Sequence, residues 1–400
     1  MEIAFIDKWI IRIDRAAFVF FLALAYFLPI SNALIESLVG FIILCFILRI
    51  LITRPFGKDI AFLYAQKLNR VLFVFFFCIG LSLFVSPSLK TSATAWISKW
   101  GEGILLFYMA QVFLKRKSLI IIVSVFCVSA CVVSIDGIYQ LIRGVDFIRG
   151  FDLMRINNLF AVRASFRHYN NFASFLIVIF FVCSGIVFSS KNQRMRMFTI
   201  VVMFLICVNL LFTYSRGGWL SFVLVLFLLD IFLVRRRGRL LFVALGLLPL
   251  IALFIFPSFR DRILLYGDAG RFTMWRAAWA MFKESPLLGK GLGLFMEFLP
   301  RYANVGHQYA HNCYLQVLAE TGLVGFVPFM SFLGMLLFSG YALVCKKKDY
   351  LLMGIMLGVT AFLIHSFFDT QLFTLKLSIL FWLFASFIVI CLRSESLDVR

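Results

Sequence analysis

Residues able to do chemistry are scarce in this chain, and several gather in one stretch. Between Gly306 and Gly325, "GHQYAHNCYLQVLAETGLVG" sets His307 and His311 four apart and follows them with Asn312, Glu320, Gly322 and Gly325. Two histidines at i, i+4 share a helical face, the spacing of zinc ligands in HExxH proteases, but the glutamate base of that motif is Gln308 here. No metal site is expected. A histidine, with an unperturbed pKa of about 6.5, suits removal of a hydroxyl proton at neutral pH.

Arginines form a second set. Arg143, Arg149, Arg155, Arg163 and Arg167 fall in one interval between apolar runs, Arg216 follows another run, and Arg260, Arg262, Arg271, Arg276 and Arg301 fall in a third interval. A guanidinium grips phosphate or carboxylate through paired hydrogen bonds, where lysine acts as a point charge. Singly, each arginine is as readily an anchor for lipid headgroups; as a set they point to an anionic ligand. The "GKGLG" at 289–293 lacks the GxxxxGK[ST] order of a nucleotide loop and reads as a turn. No DxD occurs to hold a metal-bound nucleotide sugar. Neither ATP nor a cofactor is expected.

The elements that must position these groups are membrane helices. A chain of 400 residues that is 63% hydrophobic and 14% charged, with 51 phenylalanines, lies outside the soluble globular range. Its apolar stretches approach the length of about 20 residues that a helix needs to cross about 30 Å of hydrocarbon. An all-α polytopic membrane protein is expected, a single integral membrane domain over residues 1–400. Apolar runs predict twelve spans, near 16–30, 34–52, 71–86, 94–114, 118–142, 172–190, 197–214, 218–234, 240–257, 322–345, 350–368 and 375–392. Basic clusters at Arg54 to Arg70, 115–117, Lys191 to Arg196, 235–239 and 346–348 then share one side. The positive-inside rule makes that side cytoplasmic, with both termini inside. The start, "MEIAFIDKWIIRIDR", has no small-residue cleavage site, so the first span is expected to stay in the mature protein. The nine cysteines lie mostly within apolar runs without CxxC spacing and read as packing residues. Membrane lipids, not nucleic acid, are the expected surroundings.

Two long loops remain on the other side: 143–171, and the large loop 258–321 between spans nine and ten, expected to be periplasmic and to contain short helices. In "RFTMWRAAWAMFKESP", Trp275, Ala278, Trp279 and Phe282 follow helical spacing, with Arg276 and Lys283 on a polar flank. This predicts an interfacial helix with tryptophans at headgroup depth, capped by Asp268 and ended at Ser285-Pro286. Arg271, one turn before Trp275, should face a partner.

Three blocks now stand in order: "YSRGGW" at 214–219; "GRFTMW" followed by "SPLLGKGLG"; and His311-Asn312, nine residues, Gly322, two residues, Gly325. At these positions the chain resembles the O-antigen ligase and polymerase superfamily of polytopic bacterial glycosyltransferases. The ligase pattern is His, then Asn, Ser or Gln, nine residues, Gly, two residues, then Gly, Thr or Tyr. The likeness covers roughly residues 160–370 in detail. It implies a GT-C-like fold and transfer of O-antigen polysaccharide from undecaprenyl diphosphate to lipid A-core oligosaccharide on the periplasmic face of the inner membrane, without ATP or metal. Arg216 and Arg271 match the arginines of two blocks and would stabilise the departing diphosphate, while His311 would be the general base. Displacement opposite the diphosphate would invert the anomeric centre.

Arg276, Asn312, His307, Arg163, Arg167 and His168 are the further residues expected to meet the substrates; His307 reads equally well as a surface residue. On a continuous helix Glu320 would lie about 14 Å from His311 and on the opposite face, so it is expected to orient something else. Asp369 is expected to pair with an arginine and His365 to pack between helices. Agreement with the whole ligase pattern favours ligation over two relatives of the same chemistry, an O-antigen or exopolysaccharide polymerase and a protein O-oligosaccharyltransferase. A transporter or flippase of an anionic lipid is the non-enzymatic alternative. It would place charges at mid-membrane depth in several spans, and these spans are mostly clean.

Overall fold

The structure, a computed structural model, describes residues 2–52, 63–156, 158–232, 270–306 and 308–398, together with 255, 257, 260 and 261. Most of expected span nine, the basic cluster 235–239, Asp268 and His307 lie outside the described residues.

Backbone N–H and C=O groups find no water in hydrocarbon and must pair within the segment, so the long apolar runs become helices. In chain order these are α1 (Glu2–Phe27), α2 (Asn32–Ile52), α3 (Lys67–Leu81), α4 (Leu89–Thr94), α5 (Glu102–Phe113), α6 (Arg116–Arg143), α7 (Tyr169–Ser189), α8 (Gln193–Phe212), α9 (Arg216–Phe232), α10 (Arg271–Glu284), α11 (Phe295–Phe298), α12 (Cys313–Lys347), α13 (Tyr350–His365) and α14 (Leu375–Asp398). Among the described residues, 7 helices are long and apolar enough to cross a membrane: α2, α3 with its short extension to Val85, α6, α7, α8, α12 and α14. The chain is an all-α, multi-pass membrane protein.

Several elements differ from the sequence reading. Helix α1 runs back to Glu2 instead of beginning near residue 16, and its Asp14 pairs with Arg49 of α2, so a charge that looked like a boundary sits inside the helix. The expected span 94–114 is broken into α4, a π-turn at Ala95–Gly101 and α5. The loop after α6 is built, not loose: strands β1 (Met154–Ile156) and β2 (Leu159–Ala161) pair antiparallel.

The core is formed by α7, α13 and α14, whose residues are almost all buried. Helices α7 and α13 touch backbone to backbone, since a Cβ built on Gly185 would come within 3.2 Å of the Gly354 Cα. Small residues let dispersion contacts hold helices together where lipid offers no hydrophobic incentive. The two ends of the bundle are distinct. At one end Arg116 pairs with Asp349, Lys346 with Glu395 at 2.7 Å, and Arg393 donates to the Gln111 carbonyl at 2.9 Å. The opposite end carries His311, the start of α9 and the turn between α13 and α14.

Candidate active site

His311 precedes its helix; it does not lie on it. Helix α12 begins at Cys313, capped by Asn312, whose Oδ1 accepts from Leu315 N at 3.0 Å. Residues 308–312 form no helix. The shared helical face expected of the two histidines is therefore absent: a buried Asn cap starts the helix two residues after His311, and His311 itself has φ +47°. Left-handed backbone is sparsely populated by residues with a Cβ and persists only where the surroundings hold it. Two bonds do so here. The Trp275 indole donates to the His311 carbonyl at 3.4 Å, and Cys313 N donates to Ser366 O at 2.8 Å.

Held this way, His311 sets Nδ1 3.0 Å from Asp369 Oδ1, with 28% of the histidine side chain exposed against 11% for the aspartate. Asp369 was expected to pair with an arginine, but the turn after α13 aims it at His311. Its other oxygen accepts from Asn170 Nδ2 at 2.8 Å, and Thr370 N donates to Oδ1 at 2.8 Å. Burial opposes charge on Asp369. The hydrogen bond from His311 and the fields of His311, His168 and His365 outweigh it and hold the carboxyl below the ordinary carboxylate range. An ionised acceptor at Nδ1 leaves the Nε2 lone pair of neutral His311 free to take a proton.

The network continues to the first block. Ser215 Oγ donates to Asn170 Oδ1 at 2.8 Å and accepts from Gly218 N at 3.2 Å, capping α9, of which Arg216 is the first residue. Tyr214, just before, has φ +52°, a second left-handed residue beside the site. His365 is buried between helices, as expected, with Nδ1 2.5 Å from Ser174 Oγ.

Helix α10 brings in the second block. Arg271 is its first residue and weighs electrostatically on His168 and His365. The helix ends at Ser285, as the sequence indicates, but its buried face is Met274, Ala277, Ala278 and Met281. These pack on Phe295, Leu299, Ala310 and Ala319, so the helix docks on protein; Trp279 of the expected face is 48% exposed. Trp275 turns to the site, stacking edge-on with Phe367 at 5.4 Å.

The second and third blocks interlock. Gly322 breaks α12 with φ +58°, ψ −162°, and a Cβ there would collide with the Leu287 carbonyl. The "SPLLGKGLG" segment enters this break, with Leu323 N bonded to Pro286 O at 2.8 Å and Lys290 N to Ala319 O at 3.0 Å. Glu320 indeed orients something other than His311. Its carboxylate accepts from Gly293 N at 2.8 Å and from Gln316 Nε2 at 3.1 Å, and Gln316 Oε1 in turn accepts from Ala310 N at 3.0 Å. The buried carboxylate thus steadies the residue before His311.

The remaining predicted residues divide. His168 caps α7, accepting from Asn170 N at 3.2 Å, and stacks on Tyr169. Burial lowers its pKa, Asp369 pulls the other way, and His311, Arg271 and Arg163 lower it further. Arg163 turns into its own loop, donating to the carbonyls of Asp152 at 2.7 Å and Arg167 at 3.1 Å. Arg167 and Arg276 are exposed; Asn312 is buried as the cap. His311, His168, Arg271 and the start of α9 are brought together, through residues that sequence reasoning missed as partners: Asp369, Asn170 and Ser215. Asp369 and Asn170 do stand out as polar residues bordering apolar runs, but nothing local says which groups they meet.

The segment holding all three blocks, residues 200–330, matches a family model described as O-Antigen ligase. Over that segment, about a third of its length, the chain is similar to the O-antigen ligase family. A comparison with curated proteins gives no match. The likeness points to a ligase- or polymerase-type function, and within the matched segment the three blocks coincide with backbone that is broken or left-handed: Tyr214, Gly270 at the α10 start, and His311 to Gly322.

Proposed function

We propose that the chain joins O-antigen polysaccharide, donated from undecaprenyl diphosphate, to lipid A-core oligosaccharide on the periplasmic face of the inner membrane. The observation that carries this reading is the His311–Asp369 pair at 3.0 Å, set at the end of the bundle where α9 and α10 each begin with an arginine. In this reading Nε2 of His311 takes the proton of an acceptor hydroxyl. The hydroxyl oxygen bonds to the anomeric carbon as the bond to diphosphate breaks, the electron pair leaves with the diphosphate, and the centre inverts. Asp369 stabilises the imidazolium that forms.

Diphosphate departs readily once its charge is stabilised, so neither ATP nor a metal is required. Arg216 and Arg271 supply that stabilisation in preorganised form, aided by the positive ends of the helices they open. Arg276, Arg167 and His168 are the residues we assign to substrate contact nearby, His307 is assigned with them from the sequence alone, and Asn312 acts through the cap that sets His311. The basic residues Arg116, Lys346 and Arg393 gather at the end opposite the site, which supports a periplasmic placement with cytoplasmic termini.

The test is reconstitution of purified protein with a synthetic lipid-linked repeat polymer and lipid A-core. Ligation predicts one glycan joined per core and no lengthening of the donor. Donor lengthening without core addition would assign polymerisation instead.

A further inference from the structure

At the same end of the molecule as His311, a cavity of ≈ 210 Å³ opens between the start of α2, the turn preceding α5 and the start of α14. Asn32, Glu36, Lys99, Glu102 and Ser378 line it. Among the described residues, none of these side chains has a hydrogen-bond or ion-pair partner in the protein. Ser378 is the telling member: it is 4% exposed, and its hydroxyl has only the cavity to meet. Such a hydroxyl takes its partner from whatever fills the cavity.

The cavity shares a wall with the candidate active site. Leu372 and Phe373, both in its lining, follow Asp369 in the same turn. The Phe373 ring lies 5.9 Å from that of Tyr309, two residues before His311, and Lys99 Nζ lies 5.7 Å from the same tyrosine.

The donor and acceptor inventory selects the ligand. Two carboxylates, an amide, a hydroxyl and an ammonium can together accept from and donate to a ring of hydroxyls. A phosphate would face Glu36 and Glu102 as like charges. A bare cation site needs a shell of oxygen ligands, and Lys99 sits within this one. We infer that the cavity is a subsite for one sugar unit, uncharged or amine-bearing, adjoining the bond that reacts. The inference rests on the transferase reading above and adds to it the part of the glycan that this chain reads.

Either glycan can supply such a sugar, and kinetics with each substrate varied in turn separate the two sources. Glu102→Gln keeps the shape of the side chain and removes the charge; Ser378→Ala removes the hydroxyl. For Glu102→Gln we expect KM for one substrate to rise roughly 10- to 100-fold, the loss of one hydrogen bond to a charged group, with kcat nearly unchanged. A rise confined to the donor assigns a donor sugar, and one confined to the acceptor an acceptor sugar. Unchanged KM for both substrates, or a fall in kcat alone accompanied by a lower unfolding temperature, overturns the subsite.

Binding without turnover gives an independent arm. Saturation-transfer NMR on purified wild-type protein should show contact with N-acetylglucosamine and glucosamine but not glucuronic acid, and Glu102→Gln should abolish it. Equal contact by all three, or by none, overturns the subsite. Sugar binding that Glu102→Gln abolishes, in a protein that transfers no glycan, would sink the transferase reading and leave the subsite standing.

Discussion

Asp369→Asn is the perturbation whose outcome the structure constrains most tightly. Three donors converge on the native carboxylate: His311 Nδ1 at 3.0 Å and Thr370 N at 2.8 Å on one oxygen, and Asn170 Nδ2 at 2.8 Å on the other. An amide has one accepting oxygen. If that oxygen faces His311, the new NH2 meets Asn170 Nδ2, donor against donor. If it faces Asn170, the NH2 points at His311 Nδ1, forces the proton onto Nε2, and leaves the imidazole unable to act as base. General-base assistance contributes roughly 10²- to 10⁴-fold, so kcat should fall by that order in the second arrangement, and in the first it should fall through the lost charge opposite the imidazolium. The unsatisfied buried donor should also lower stability by about 1–3 kcal/mol. The assay is steady-state transfer with purified protein, alongside thermal unfolding in the same detergent. Because the wild-type carboxyl is held below the ordinary range, the stability it contributes is present above its unfolded value of about 3.9 and is lost only as pH falls through the lower folded value. Protonation of Asp369 therefore contributes nothing to pH dependence near neutrality. Asp369→Asn retaining kcat within about threefold of wild type at equal expression would refute the orienting role.

Four other variants probe separate parts of the account. Arg216→Lys and Arg271→Lys should each impair transfer although the charge remains, because an ammonium cannot reproduce two-pronged phosphate contacts; near-normal kcat in both would remove diphosphate stabilisation as their role. Gly322→Ala should cost at least about 1–3 kcal/mol from the backbone alone, before its collision with Leu287, and a wild-type unfolding temperature would show that the break in α12 is not needed. His168 has a lowered pKa, so below about pH 6.5 the unfolded chain takes a proton that the folded chain refuses, and stability declines until the folded value is passed. His168→Asn keeps the cap and removes this contribution. Its unfolding temperature relative to wild type should rise between about pH 7 and about pH 5, and a constant difference would contradict the shift.

Much of the fold is legible in the sequence because one physical rule dominates: hydrocarbon demands helices of a given length, and α2, α6, α7 and α8 begin and end within a few residues of their apolar runs. The reading fails where another rule takes over. Charged residues at the start of α1 looked like a boundary, yet helix continues through them because Asp14 finds Arg49 on α2. The α10 face was chosen by its tryptophans, as for a helix lying against lipid, whereas the helix docks on protein through smaller and more flexible residues, Met274, Ala277, Ala278 and Met281. In the site, His311, Arg216 and Arg271 are legible from residue type and block order. Their alignment is not. Asp369 lies 58 residues from His311 and Asn170 lies 199 from Asp369, distances at which no local periodicity constrains pairing. Asn312, by contrast, carried a readable signal: an asparagine immediately before an apolar run is a helix cap. Giving it that role places His311 outside the helix and removes the face it would have shared with His307.

The central claim is that His311 removes the acceptor proton, and steady-state transfer by His311→Ala tests it most directly. Purified variant and wild type would be compared with synthetic lipid-linked donor and lipid A-core, with and without chelator, beside His307→Ala. The account predicts a fall in kcat of roughly 10²- to 10⁴-fold for His311→Ala in a protein that remains folded, a donor KM little changed, a milder effect of His307→Ala, and no response to chelator. Transfer by His311→Ala at the wild-type rate, or equal collapse of both histidine variants with recovery on added zinc, would contradict it.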